Sequence, residues 1–217
     1  MLKDELQSVR EKFFTNAPSH VTDNVTRATN ELIESGFATG LKKGDKAPDF
    51  TLKNAAGKSI TLSKVLEDGP VILNFYRGGW CPYCNLELRA YEAMLEDIKA
   101  AGAQLIAISP QTPDQSLTTV EKNNLSYEVV SDPSQEVIAA YNLLFEMPEY
   151  LVETYKHDFN LNLADYNSKQ HSWRLPVAGT VVISQSGTII MSSANVDYMY
   201  RAEPEEVLRN LKNHSKV

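Results

Sequence analysis

One stretch limits what this chain can fold into. Val71-Ile-Leu-Asn-Phe-Tyr76 is an apolar run of strand-formers, and it ends in Arg77-Gly78-Gly79-Trp80-Cys81-Pro82-Tyr83-Cys84. A helical pattern follows at once, with Leu86, Leu88, Tyr91, Met94, Leu95 and Ile98 spread along it. The two cysteines of the chain both sit at this strand-to-helix junction, spaced C-x-x-C. In an intracellular-looking βα context such spacing reads as a dithiol redox motif.

The chemistry explains the arrangement. Two thiols exchange a disulfide only if they are close and one is ionised. Pro82 suits the first helical position, because its fixed φ and missing N–H cost nothing there. Cys81 then falls at the N-cap and Cys84 in the first turn, where free amides and the positive end of the helix dipole favour a thiolate. The thiol pKa is expected below the free value of ~8.5. Gly78 and Gly79 are expected to turn the backbone tightly and leave room for an incoming substrate. Trp80 is expected to flank the thiols with an apolar, partly exposed face. Inert packing is the plainer reading of a lone buried cysteine, but it does not account for W-C-P-Y-C at such a junction. A metal site is disfavoured, since His20, His157, His171 and His214 are scattered without ligand spacing.

Composition bounds the rest. A chain of 217 residues can bury one substantial core. A net charge of −7 argues against nucleic-acid binding. The first ten residues are charged and lack an apolar signal core, and no apolar run is long enough to span a bilayer. A reducing cytoplasm is the expected compartment.

Taken in order, residues 1–41 read as an N-terminal helical extension and 42–213 as the main domain. Leu2, Leu6, Val9, Phe13 and Phe14 make one apolar stripe; Val21, Val25, Ala28, Leu32 and Ile33 make another, with a break at Pro18-Ser19 and a stop at Gly36 and Gly40. A hairpin is expected around Asn54-Ala-Ala-Gly57, then a short turn from Ser63. Strands at 102–108 and 127–130 alternate with helices at 116–123 and 135–141, which implies a parallel core with right-handed crossovers. Residues 143–172 contain a possible helix at 145–155 and an Asn-rich loop at 160–171, expected to be a surface insertion rather than a substrate-side lid. A hairpin through Gly187 and a helix introduced by Glu203-Pro204 close the chain, with a frayed tail from Asn213.

Over about residues 42–212 the chain resembles the thioredoxin superfamily, and within it the peroxiredoxin-like proteins of the alkyl hydroperoxide reductase and thiol-specific antioxidant (AhpC/TSA) family. The resemblance rests on Gly44-Asp-Lys-Ala-Pro48-Asp-Phe50, on the strand and loop at 71–91, on the late hairpin, and on Tyr198-Met-Tyr-Arg-Ala-Glu-Pro204-Glu-Glu, which is similar to the close of a C-x-x-C subgroup. It implies an α/β thioredoxin-like fold with a central mixed sheet flanked by helices. Cys84 stands where a peroxiredoxin's peroxidatic cysteine would be, Cys81 replaces the orienting threonine, and Glu87 matches a frequent glutamate. Read as a thioredoxin, Cys81 is instead the exposed attacker and Cys84 the buried resolver. The late motif departs from both relatives: Ala178 occupies the place of a thioredoxin's cis-proline or a peroxiredoxin's activating arginine. Pro176, Arg174 and Arg77 are the candidates to take over those roles, and Tyr166, His171 and Trp173 are candidates to line the site.

The first reading is therefore a thiol–disulfide oxidoreductase in antioxidant redox homeostasis, with Cys81 attacking and Cys84 resolving. The second is a thiol peroxidase in which Cys84 is oxidised to a sulfenic acid that Cys81 condenses to a disulfide. The third is a non-catalytic, partner-binding scaffold. No cofactor is called for. The expected partners are a disulfide-bearing protein or a small peroxide and a thiol reductant, with no nucleic acid or membrane, and a homodimer is admitted.

Overall fold

In the computed structural model, which describes residues 1–214, the apolar run is strand β3 (Val71–Phe75), buried over its whole length. A strand buried on both faces needs neighbours on both edges and a layer on each face. The other strands of the main sheet are β1 (Thr51–Asn54), β2 (Ser59–Thr61), β4 (Gln104–Ser109), β5 (Glu128–Ser131), β8 (Gly179–Ile183) and β9 (Ile189–Ala194). Their order is β2-β1-β5-β4-β3-β8-β9. Strands β3, β4 and β5 run parallel, as the strand–helix alternation requires; β8 returns antiparallel on the far edge of β3. A separate ribbon pairs β6 (Leu144–Glu146) with β7 (Arg174–Pro176). This is the expected mixed sheet of a thioredoxin-like fold.

Helices cover both faces. On one, α4 (Pro82–Ala93) and α5 (Leu95–Ala100) send Tyr91, Leu95 and Ile98 into a core with Ile72, Leu105 and Val182, joined by Val207, Leu208 and Leu211 of α9 (Pro204–His214). Each such fully buried aliphatic side chain stabilises the fold by about 1.5–3 kcal/mol. The periodicity over 85–98 predicts one helix; the backbone breaks it at Met94, whose ψ of 5° leaves the helical range. Helix α6 (Pro113–Asn123) starts three residues before the expected Ser116, because Pro113 takes the first helical position rather than ending the previous loop. Short helices α3 (Leu62–Val65) and α7 (Glu136–Ala140) fill the remaining connections.

The N-terminal helices α1 (Leu2–Asn16) and α2 (Ser19–Ser35) pack against the rest of the chain: α1 lies on α4, and α2 on α8 (Glu149–His157). Leu2, Leu6 and Val25 join the core beneath the cysteines. Two residues of the predicted stripes fall off them, for Phe14 is 40% exposed and Ile33 57%. Gly36 closes α2 in the left-handed conformation, φ 68°. The expected tail from Asn213 falls partly on α9, which runs to His214, and partly on residues outside the described range. No helix among the described residues is long and apolar enough to cross a membrane.

Candidate active site

The C-x-x-C loop is clamped from below. Gly79 N–H donates to Gln111 Oε1 at 2.9 Å, and Gly79 O accepts from Asn85 Nδ2 at 2.9 Å. Asn123 Nδ2 donates to Asn85 Oδ1 at 2.9 Å, and Arg89 donates to Asn123 at 2.8 Å. Buried polar groups satisfied in this way hold one geometry. The space expected for a substrate at Gly78 and Gly79 is taken, since a Cβ on Gly78 would strike the Trp80 indole and one on Gly79 the Thr119 hydroxyl. The double glycine serves close packing of the loop itself.

Cys81 is the N-cap of α4 (φ −85°, ψ 118°), Pro82 follows at the helix start, and Cys84 stands in the first turn. Both cysteines are free thiols. Both are also buried, Cys81 at 1% exposure and Cys84 at 0%, which corrects the expectation of an exposed attacker. The two sulfurs face different surroundings. Cys84 Sγ accepts from the Arg77 backbone N–H at 3.4 Å and from Arg201 Nη2 at 3.7 Å. Arg201 Nε also donates to Glu87 Oε2 at 2.8 Å, an ion pair with both partners shut off from solvent. The Tyr198 and Tyr200 carbonyls take further Arg201 N–H groups. Burial outweighs the Arg201 charge at Glu87 and pushes its carboxyl up to about 7.

Cys81 instead lines a cavity of about 330 Å³ walled by Phe13, Trp80, Tyr83, Tyr155, Phe159, Leu161 and Tyr198, with Arg77 among them. Arg77 is buried, stacks 3.9 Å over the Tyr198 ring, lies 5.1 Å from the Trp80 ring, and donates through Nη2 to the Tyr155 hydroxyl. Burial alone raises the Cys81 thiol, but the hydrogen bond from Cys84 and the charges of Arg77 and Arg201 more than reverse it and bring Cys81 down to about 6. Cys84 moves the other way, raised by burial and by the thiolate beside it. One thiolate, on Cys81, is the state this environment favours. Arg77 Nε and Trp80 Nε1 are buried donors with no hydrogen-bond partner among the described residues; such groups are rare in folded proteins and mark a place that a ligand atom can fill.

Of the residues singled out in the sequence, Cys81, Cys84, Arg77, Trp80 and Glu87 come together here. Arg174 does not: it lies on β7 with its guanidinium 3.4 Å from His171 Nδ1, and no hydrogen bond or ion pair among the described residues joins it to a sulfur. Pro176 is spent on the β6–β7 ribbon opposite Leu144, and none of the described peptide bonds is cis. Tyr166, His171 and Trp173 are absent from the cavity wall. The loop at 160–171, expected as a surface insertion, reaches that wall through Leu161, and the segment just before it adds Tyr155 and Phe159. Arg201 and Tyr155 were not named as site residues. The run from Tyr198 to Glu206 was a signal for the first; Tyr155 had none.

A dithiol at a helix start, beside the central strand of such a sheet, defines a thioredoxin-fold oxidoreductase. A model of the AhpC/TSA family matches residues 43–192, and the chain belongs to that family. A putative peroxiredoxin of Mycobacterium tuberculosis is 33% identical over 112 residues, 52% of this chain and 71% of that protein. The thiol-disulfide oxidoreductase ResA of Halalkalibacterium halodurans is 33% identical over 103 residues, 47% of this chain and 57% of that one. Among solved structures, the peroxidoxin BcpB of M. tuberculosis shares the fold with a TM-score of 0.64 at 21% identity, covering 80% of this chain and 97% of its own.

Proposed function

We propose that the protein is a thiol peroxidase that reduces a small peroxide at Cys81 and stores the oxidising equivalents as a Cys81–Cys84 disulfide. The observation that carries this reading is the enclosure of Cys81, a sulfur 1% exposed at the wall of an aromatic cavity. A peroxide can enter 330 Å³; a disulfide on a folded protein cannot bring its sulfur in line with a thiolate so enclosed. The relatives named peroxiredoxin support the same side. Peroxide reduction thus displaces thiol–disulfide exchange as the first reading, while the low-pKa, cavity-facing position of Cys81 reverses the cysteine roles expected of a peroxidase.

The Cys81 thiolate attacks one peroxide oxygen, the O–O bond breaks, and the products are Cys81 sulfenic acid and an alcohol or water once the departing oxygen gains a proton. Arg77, with its unpartnered Nε, polarises the O–O bond as charge develops on it. Cys84 then attacks the sulfenic sulfur and expels water, giving the disulfide. Arg201, 3.7 Å from Cys84 Sγ, favours the thiolate this second step needs, and Glu87 holds Arg201 in place. An external thiol reductant returns the pair to dithiol. Two contacts favour the opposite order: the same Arg201 and the Arg77 N–H would also serve a peroxide attacked by Cys84.

Stopped-flow mixing of the reduced protein with hydrogen peroxide, followed by thiol count, tests the reaction class. Oxidation far faster than that of a free thiol at the same pH is expected, with sluggish reduction of an added protein disulfide. The reverse pattern would restore thiol–disulfide exchange.

A further inference from the structure

The peroxidase reading leaves one chemical requirement unmet by the cysteines and arginines. Attack on an alkyl peroxide or hydrogen peroxide expels alkoxide or hydroxide, each a strong base whose conjugate acid is far weaker than a phenol or thiol. Such a group leaves slowly unless a proton reaches it as the O–O bond breaks. Arg77 cannot give one, because a guanidinium stays protonated. The Trp80 indole N–H is a hydrogen-bond donor but not an acid. Cys84 does not line the cavity, and its proton is engaged in the hydrogen bond to the Cys81 sulfur. The cavity wall otherwise offers three phenols, Tyr83, Tyr155 and Tyr198.

We infer that Tyr155 is the general acid of the site: its hydroxyl, held by Arg77 at the wall that Cys81 shares, protonates the departing oxygen. This assignment rests on the peroxidase reading. Tyr155 is buried and wedged between the Trp80 ring at 5.9 Å and the Trp173 ring at 6.5 Å. Its oxygen accepts from Arg77 Nη2, so the phenolic proton is free to point elsewhere. The other two phenols lack that arrangement. Tyr198 offers Arg77 its ring face rather than its hydroxyl. Tyr83 packs its ring edge-on against Tyr198 at 5.6 Å, and no hydrogen bond holds its hydroxyl among the described residues. Burial raises the Tyr155 phenol, and the Arg77 guanidinium against it offsets part of the cost of giving up the proton.

The step balances. The thiolate sulfur bonds to one peroxide oxygen and is oxidised to the sulfenic acid as the O–O pair is reduced. The second oxygen leaves with the electron pair and takes the Tyr155 proton to become alcohol or water. The phenolate, paired with Arg77, is then reprotonated from solvent.

The test compares two peroxides on the same protein. Tert-butyl hydroperoxide expels an alkoxide. Peracetic acid expels a carboxylate, whose conjugate acid has a pKa near ~4 and which needs no proton. In Tyr155→Phe the oxidation rate with tert-butyl hydroperoxide is expected to fall on the order of 10²-fold further than the rate with peracetic acid. A loss that is equal for both would show Tyr155 to be only a wall and overturn the assignment. Because both rates come from one preparation, a folding defect cannot mimic the difference. Should the variant not fold, a series of hydroperoxides on the native protein gives the same answer: a shallow dependence on leaving-group pKa supports the acid, and the steep dependence of a free thiol refutes it. Native protein no faster than a free thiol with either peroxide would instead remove the peroxidase reading, and this assignment with it.

Discussion

The charges of two arginines, Arg77 and Arg201, act on the same two sulfurs, but their surroundings are opposite. Arg201 is neutralised by a carboxylate, Glu87, at 2.8 Å and is pinned by two backbone carbonyls. Arg77 has no carboxylate partner among the described residues; phenol and indole rings, one hydroxyl and the Cys81 thiolate surround it. A buried cation with a fixed counter-ion is architecture, because removing either partner strands a charge. A buried cation with a thiolate among its partners is coupled to chemistry, because oxidation of that thiolate removes a negative charge beside it. On the proposed reading, the difference puts stability on the Cys84 side and reactivity on the Cys81 side.

The largest effect expected is the loss of catalytic turnover in Cys81→Ser and in Cys84→Ser, each by ~10³-fold or more in peroxide consumption coupled to a thiol reductant. A variant that still turns over would break the claim that the two sulfurs act as a pair. Next comes stability. Glu87→Ala strands Arg201 and is expected to cost about 3–5 kcal/mol in urea unfolding, whereas Arg77→Gln, which leaves no buried carboxylate behind, costs about 1–3 kcal/mol. Equal losses would erase the contrast between the two sides.

The titrations sharpen the same contrast. Thiolate absorbance should show a step near pH 6 that vanishes in Cys81→Ser and shifts upward in Arg77→Gln. At Glu87 the folded carboxyl, near 7, holds its proton above the ordinary value of 4.5. Between those values the native state binds more protons than the unfolded one, so this group's contribution to stability falls as pH rises from about 4.5 through 7. Glu87→Gln should flatten that slope in urea midpoints taken across the window. The smallest effect is expected at the rim: Phe13→Ala widens the cavity mouth and changes peroxide oxidation only a few-fold, the size of change that loss of one apolar contact brings.

What could be read in advance follows from distance along the chain. Cys81, Cys84, Arg77, Trp80 and Glu87 lie within eleven residues of one another on one strand–turn–helix unit, so local rules place them. Cys84 and Glu87 share a helix face through their three-residue spacing. Arg201 reaches Cys84 across 117 residues and Tyr155 meets Arg77 across 78, contacts that no periodicity encodes. Arg174 and Pro176 lie four and two residues before the place that Ala178 holds, and are drawn into the β6–β7 ribbon, a pairing that an irregular 143–172 segment conceals. The same segment supplies Tyr155 because α8 is held on α2, partly by the hydrogen bond from Asn24 to Thr154 at 2.9 Å.

The measurement that bears most directly on the order of events is sulfenic-acid trapping in the two single-cysteine variants. Each is treated with one equivalent of hydrogen peroxide in the presence of dimedone and read by intact mass and peptide mapping. Rapid labelling of Cys81 in Cys84→Ser, with slow labelling of Cys84 in Cys81→Ser, is the expected result. Rapid labelling at Cys84 alone would contradict it and make Cys84 the cysteine that meets the peroxide.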